Sequence, residues 1–288
     1  MLQFQQSKDL LFYLAKEKAD GKIIGFVPTM GALHEGHLSL IKLAKEKCDV
    51  VVCSIFVNPT QFNDPKDLEK YPRTPEKDVE LLVRAGCDVL YFPSQNDVYG
   101  DGDFNLTDYD FGELDKILEG KSRPGHFKGV ANVVRLLLHN VQPDKLFLGQ
   151  KDFQQVLIIK RMMEIERLGV VGQETNNGVV VCPIIREKNG LAMSSRNVRL
   201  TEKQRADAAQ IFASLNFIRE QIRVLGETPT TIKQKALEIL GAIPDSMPDY
   251  IEFRDAEIFS AVTDFSKPVV VLIAVVVGGV RLIDNMIV

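Results

Sequence analysis

Two histidines, His34 and His37, stand three positions apart in "PTMGALHEGHLSL" (28–40), between the apolar run "KIIGFV" and the amphipathic "LSLIKLAKEK". With a helix starting near Glu35, the two rings fall about one turn apart on one face. They then stand at the positive end of that helix, beside N–H groups that lack intrahelical partners and favour anions. Gly31 and Gly36 let backbone or ligand approach closely. A positive helix end disfavours protonation, so neutral imidazoles that donate hydrogen bonds to a phosphate fit this stretch. Metal ligation is the rival reading, but the metalloprotease pattern sets its histidines four apart with a glutamate on the helix. Here the spacing is three and no distal ligand is evident. An exposed turn that happens to hold two histidines needs no ligand at all.

Two more stretches carry polar groups that a simple chain reversal does not require. In "GQKDFQQ" (149–155), Asp152 and Gln155 read as a helix capping box. That leaves Lys151, a cation at a helix N-terminus, where the dipole disfavours it and a bound anion explains it. In "AMSSRN" (192–197), Ser194, Ser195 and Arg196 lie on a loop after Gly190, which also reads as an ordinary turn before a helix at Thr201. Taken together, Lys151, Arg196, the two hydroxyls and the two imidazoles describe a pocket for a polyphosphate. Neither a Walker A loop nor a G-x-G-x-x-G fingerprint occurs.

These loops need a scaffold. Residues 3 to 19, 36 to 47, 74 to 86, 127 to 142 and 152 to 169 have helical spacing, and 22 to 29, 49 to 59, 87 to 93 and 144 to 149 are short apolar runs of strand length. Buried strands alternating with helices predict crossover units and a Rossmann-like, doubly wound parallel α/β sheet, whose ligands bind beyond the carboxyl ends of the strands. After about residue 178 the texture changes. A strand–turn–strand–loop is followed by a long helix (201–226) opening on a Thr201/Gln204 capping box, a second helix (228–242), and strands at 249–255, 269–275 and 280–287. The expected organisation is a Rossmann-like domain over 1–183 and a smaller α+β domain over 184–288.

With 45% hydrophobic and 26% charged residues, the composition is that of an ordinary globular protein. The net charge of -4 gives no whole-chain signal for nucleic acid or a membrane surface. Cys48, Cys53, Cys87 and Cys182 form no CxxC pair and read as buried thiols in a reducing compartment. The N-terminus lacks a signal-peptide apolar core. The most apolar stretch, from Pro268, is shorter than the roughly 20 residues of a spanning helix and is broken by Gly278 and Gly279, so two strands and a turn are expected. A cytoplasmic protein with neither nucleic-acid nor membrane partners follows.

"PTMGALHEGHLSLI", "SIFVNPTQF", "YPRTP", "RPGHFKGV", "GQKDFQQ" and "REKNGLAMSSRN", in that order, resemble the successive signatures of the pantothenate synthetase (pantoate–β-alanine ligase) family. "YIEFRDAEIF" and "RLIDN" resemble its C-terminal domain. "HEGH" alone resembles only the wider HIGH-type nucleotidyltransferase superfamily. The resemblance implies a homodimeric, ATP- and Mg²⁺-dependent ligase that joins pantoate to β-alanine through pantoyl adenylate. It implies that Met30, Gly31, Ala32, Leu33, His34, Glu35, Gly36 and His37 line the ATP site, with both imidazoles on the phosphates. Gly149, Gln150, Lys151 and Asp152 would contact the nucleotide, Asp152 toward the ribose and Lys151 toward the phosphates. Ile185 would meet adenine through its backbone, and Met193, Ser194, Ser195 and Arg196 would close over the triphosphate. His34, His37, Lys151 and Arg196 carry the catalytic charge in this reading, Gln61 and Gln155 hold pantoate, and Asp78 matches a magnesium-linked position. Gln150 and Phe153 depart from the Glu and Tyr common at these places. Two segments, 61–72 and 193–197, are candidates for a lid over the adenylate.

Overall fold

The computed structural model describes residues 1–101, 104–168, 178–223 and 227–288. It divides into two compact units, Met1–Pro183 and Ile184–Val288.

The first unit is built on six parallel strands: β1 (Leu2–Phe4), β2 (Ile24–Thr29), β3 (Val50–Ile55), β4 (Val89–Tyr91), β5 (Lys145–Gly149) and β6 (Val179–Cys182), in the spatial order β1-β4-β3-β2-β5-β6. Its helices are α1 (Ser7–Ala19), α2 (Glu35–Lys47), α3 (Pro65–Glu69), α4 (Pro75–Arg84), α5 (Gln95–Tyr99), α6 (Glu119–Ser122), α7 (His126–Val141) and α8 (Phe153–Ile165). Successive side chains of a strand point to opposite faces, and the two cores follow that rule. Val50 and Val52 join Ile24, Phe26, Leu146 and Leu148 in a cluster with α1, α7 and α8. Val51, Cys53 and Ile55 join Val27 and Phe147 in a second cluster with α2 and α4. A strand buried on both faces needs apolar residues without alternation, which is how these strands read in the sequence. The chain proceeds from β2 through β3 to β4 on one side and then returns to place β5 on the other side of β2. That reversal makes the carboxyl ends of β2 and β5 the place where a doubly wound sheet opens a binding crevice.

The second unit packs α9 (Glu202–Asp207), α10 (Gln210–Ile222) and α11 (Pro229–Gly241) with an antiparallel sheet of β7 (Ser246–Asp255), β8 (Val269–Val277) and β9 (Val280–Ile287). Ile211, Leu215, Ile218, Ile232, Ala236 and Leu240 form its core with Val271, Ile273 and Val275. Gly278 and Gly279, with φ of +55° and +75°, form the two-residue turn between β8 and β9.

Several details differ from the sequence expectation. Residues 2–4 form an edge strand rather than the start of α1; three residues are too few to show a period. The long helix expected over 201–226 is two helices. Ile211 N–H bonds Ala208 O and Phe212 N–H bonds Ala209 O, a tightening to i→i+3 that breaks the α-helical run without any Gly or Pro. Its last residues, 224–226, and residue 169 of the expected 152–169 helix lie outside the described residues. The strand expected after Cys182 is reduced to one bridge, Arg186 to Ala192. Among the described residues no helix is long and apolar enough to cross a membrane.

Candidate active site

The turn after β2 is anchored from beneath. Gly31 and Ala32 are both left-handed, with φ of +76° and +48°. Ala32 is strained there by about 1–2 kcal/mol. The strain is offset by Asp78, which is 1% exposed on α4. Its Oδ2 accepts from Ala32 N–H (2.9 Å), and its Oδ1 accepts from Leu33 N–H (2.8 Å) and Thr74 Oγ1 (3.0 Å). Hydrogen bonds to a charged acceptor contribute about 1.5–3 kcal/mol each. A side chain at residue 31 would come within 3.0 Å of both Asp78 Oδ2 and Ile55 Cγ2, so glycine is favoured by space as well as by φ. Asp78, matched by motif to a magnesium-linked position, is a buried carboxylate that accepts three hydrogen bonds and so shapes the turn after β2. Among the described residues, no three of His, Cys, Asp and Glu gather as a metal-binding group.

The two histidines form the start of α2. His34 is its N-cap, and its Nδ1 accepts from Gly36 N–H at 3.1 Å. His37 Nδ1 accepts from His34 N–H at 3.3 Å. The pair is thus a capping box made of two imidazoles, their ring centroids 4.0 Å apart. An Nδ1 that accepts carries no proton, so the neutral ring bears its hydrogen on Nε2, on the side away from the helix turn. The pKa of His37 is held well below the ordinary histidine value by burial, then by His34, then by Lys151. His37 is therefore a neutral donor at neutral pH.

Lys151 follows β5 in the tight turn Gln150–Asp152, with its Nζ 3.5 Å from Asp152 Oδ1. Asp152 precedes α8 but makes no side-chain cap, so the capping-box explanation for Asp152 and Gln155 does not hold in the structure. Phe153, one of the two departures, is buried at the first position of α8. Gln154 and Gln155 divide their labour. Gln154 is 3% exposed; its Nε2 donates to Leu114 O (2.6 Å) and Ile117 O (2.9 Å), and its Oε1 accepts from Glu119 N–H (3.1 Å). Gln155 is only partly buried.

The turn after β3, Pro59–Gln61, is held by Asn58, a residue whose role went unread in the sequence. Asn58 is 1% exposed; its Oδ1 accepts from Thr60 Oγ1 (3.0 Å) and Tyr99 Oη (2.7 Å), and its Nδ2 donates to Gly129 O (3.2 Å) and Gln61 Oε1 (3.1 Å). Gln61 Nε2 in turn points at Met30 Sδ (3.0 Å), which joins the turn after β3 to the turn after β2. A thioether is a weak acceptor, so an oxygen ligand would improve this donor's bond. The middle of the expected 61–72 lid is α3 (Pro65–Glu69), and Arg73 ties the segment's end down through Tyr71 O (3.0 Å) and Leu68 O (3.2 Å).

In the second unit Ser194 caps the short turn Ser195–Arg199, its Oγ accepting from Arg196 N–H at 3.2 Å. Met193 N–H bonds Ile185 O at 3.0 Å, which brings these two candidate residues together. Asn197 is 3% exposed and donates to Glu187 Oε1 (2.9 Å) and Ala192 O (3.1 Å), and Glu187 also pairs with Arg205. These bonds tie the 193–197 loop to the rest of its unit.

The family model described as pantoate-beta-alanine ligase matches residues 3–287. A pantothenate synthetase of Porphyromonas gingivalis W83 is 44% identical over 286 residues, covering 98% of this chain and 97% of that one. The crystal structure of pantothenate synthetase from Thermus thermophilus superposes with a TM-score of 0.89 at 36% identity, covering 99% of both chains. A pantoate-beta-alanine ligase from Francisella tularensis, solved with beta-gamma ATP and beta-alanine, gives a TM-score of 0.78 at 36% identity, covering 100% of this chain and 97% of that one. With a match that runs from end to end and a sheet whose turns carry the signature residues, the chain belongs to the pantoate–β-alanine ligase family.

Proposed function

We propose that this protein condenses pantoate with β-alanine at the expense of ATP. The observation that carries the reading is the imidazole pair at the start of α2, with Nδ1 of each ring used in the cap and His37 held neutral beside Lys151. In the first half-reaction a pantoate carboxylate oxygen attacks the α-phosphorus of ATP, and the bond to the bridging oxygen breaks, releasing pyrophosphate. In the second, the unprotonated amine of β-alanine attacks the acyl carbon of pantoyl adenylate and AMP leaves. Both nucleophiles come from substrates, so the chain needs positioning and positive charge rather than a nucleophile of its own.

His34 and His37 donate from Nε2 to phosphate oxygens as charge builds, Lys151 adds a full positive charge, and Asp152 faces the ribose. Met30 to Gly36 and Gly149 to Gln150 supply the walls of the nucleotide site. The family's motif assigns Ile185, Met193, Ser194, Ser195 and Arg196 to ATP as well. Gln61 and Gln155 hold pantoate as neutral donors, which leaves its carboxylate charged for attack. Magnesium commonly travels on substrate phosphates with few protein ligands, and that mode suits a site where the described residues gather no metal-binding group. When bound it neutralises phosphate charge. The functional unit is a homodimer.

Pantoate-dependent exchange of pyrophosphate into ATP tests the first half-reaction, and AMP release requiring both pantoate and β-alanine tests the whole. A protein that binds ATP but shows no pantoate-dependent exchange would overturn the proposal.

A further inference from the structure

We infer that His126 is a positioning residue that fixes the pantoate-binding glutamine Gln61, an inference that rests on the proposed contact between Gln61 and pantoate. "RPGHFKGV" is a signature whose residues have no role in the chemistry above, and the structure ties it to the turn that bears Gln61. His126, the first residue of α7, is 6% exposed. Its Nδ1 lies 2.8 Å from Gln61 O, and its Nε2 lies 3.1 Å from Arg123 Nη1. A guanidinium can only donate and a carbonyl can only accept. The two partners therefore fix one arrangement: Arg123 donates to Nε2, and the proton on Nδ1 is donated to Gln61 O.

Two further contacts make this bond part of a clamp. A side chain at Gly129, one turn along α7, would come within 2.3 Å of Thr60 O, so the helix backbone lies directly against the Gln61 turn. Asn58 Nδ2 donates to Gly129 O as well as to Gln61 Oε1. Upstream, Arg123 N–H bonds Glu119 O (2.9 Å) at the end of α6, and Glu119 N–H bonds Gln154 Oε1 (3.1 Å). Gln154 is the neighbour of Gln155. The segment 114–126 is thus bolted at one end beside Gln155 and at the other to Gln61, and it sets the spacing of the two glutamines that a small hydroxy acid would bridge.

The test is steady-state kinetics on the intact enzyme with His126→Asn, His126→Gln and His126→Ala, alone and combined with Gln61→Ala. Asn places its N–H where Nδ1 stands, and Gln places it nearer Nε2. We expect His126→Ala and His126→Gln to raise the KM for pantoate about tenfold, the worth of one well-placed hydrogen bond, with the KM for ATP and β-alanine little changed. His126→Asn should restore most of the loss. In the Gln61→Ala background the His126 substitutions should add nothing further to the pantoate KM. Equal pantoate KM values for the Asn and Gln variants, or full additivity with Gln61→Ala, would overturn the inference, and the Asn/Gln comparison decides it even where the Ala variant folds poorly. If Gln61→Ala alone leaves the pantoate KM unchanged, the proposed Gln61 contact fails instead, which separates the two claims.

Discussion

At the scale of residues, the proposed phosphate contact gives His37 two separable functions on one ring. Its Nδ1 accepts from His34 N–H, and its Nε2 side is assigned to phosphate. His37→Asn keeps an acceptor at the Nδ1 position and loses the reach of Nε2. Removal of one preset donor raises a barrier by about 3 kcal/mol, so pantoate-dependent exchange should fall a hundredfold or more in His37→Asn and Lys151→Ala. His37→Ala should lose the same activity and, in addition, about 1 kcal/mol of stability from the missing cap. Urea unfolding of the three variants checks this, and a stability loss in His37→Asn equal to that in His37→Ala would count against the cap. The lowered pKa has a consequence of definite sign. Below the ordinary value of 6.5 the unfolded chain's His37 takes up a proton that the native ring resists. The unfolded state then binds more protons, so native stability falls with pH, by up to about 1.4 kcal/mol per pH unit from this group, until the lowered native value is reached. Wild type should therefore lose more stability between pH 7 and pH 5 than His37→Gln, which has no such group.

At the scale of elements, two helices work by close approach. Asp78 brings α4 to the strained turn after β2, and Gly129 brings α7 to the turn after β3. Asp78→Asn sets an amide N–H₂ against one of the two backbone N–H groups. One buried donor then loses its partner, at about 1–3 kcal/mol, and the KM for ATP should rise with it; unchanged unfolding and KM values would show that the turn holds its shape without the carboxylate. Gly129→Ala forces a methyl against Thr60 O and should cost about 1–3 kcal/mol by overpacking. Gly241→Ala, where an added Cβ meets nothing within 4 Å, is the control and should be neutral or slightly stabilising.

At the scale of the whole molecule, the first unit buries a core on each face of its sheet and the second has a core of its own. The reaction assigned to them predicts that EDTA abolishes pyrophosphate exchange and that added Mg²⁺ restores it. Sedimentation equilibrium should give twice the 32.3 kDa chain mass; a monomer at working concentration would contradict the dimer.

Much of this was legible in the amino-acid order. Runs such as "DVVVCSIFV" announce strands buried on both faces, because no solvent-facing side exists to be polar. The positions of His34, His37, Lys151 and Arg196 after strands or before helices carry the expectation of anion binding, because strand ends and helix starts are where unpaired N–H groups collect. The motif strings carried the family. What the order of residues did not disclose depends on long-range contact. Asp78 matches a magnesium-linked position by motif, and only folding shows that it lies under a turn 46 residues away. Asp152 reads as a helix cap, yet its side chain caps nothing. His126 and Asn58 sit in recognisable strings, but only the packing of α7 on the turn after β3 reveals that both hold Gln61. Local pattern determines which elements form and where their polar ends lie. Which backbone groups those polar side chains satisfy is decided by the tertiary structure, because a buried donor or acceptor takes its partner from whatever the fold brings within about 3 Å.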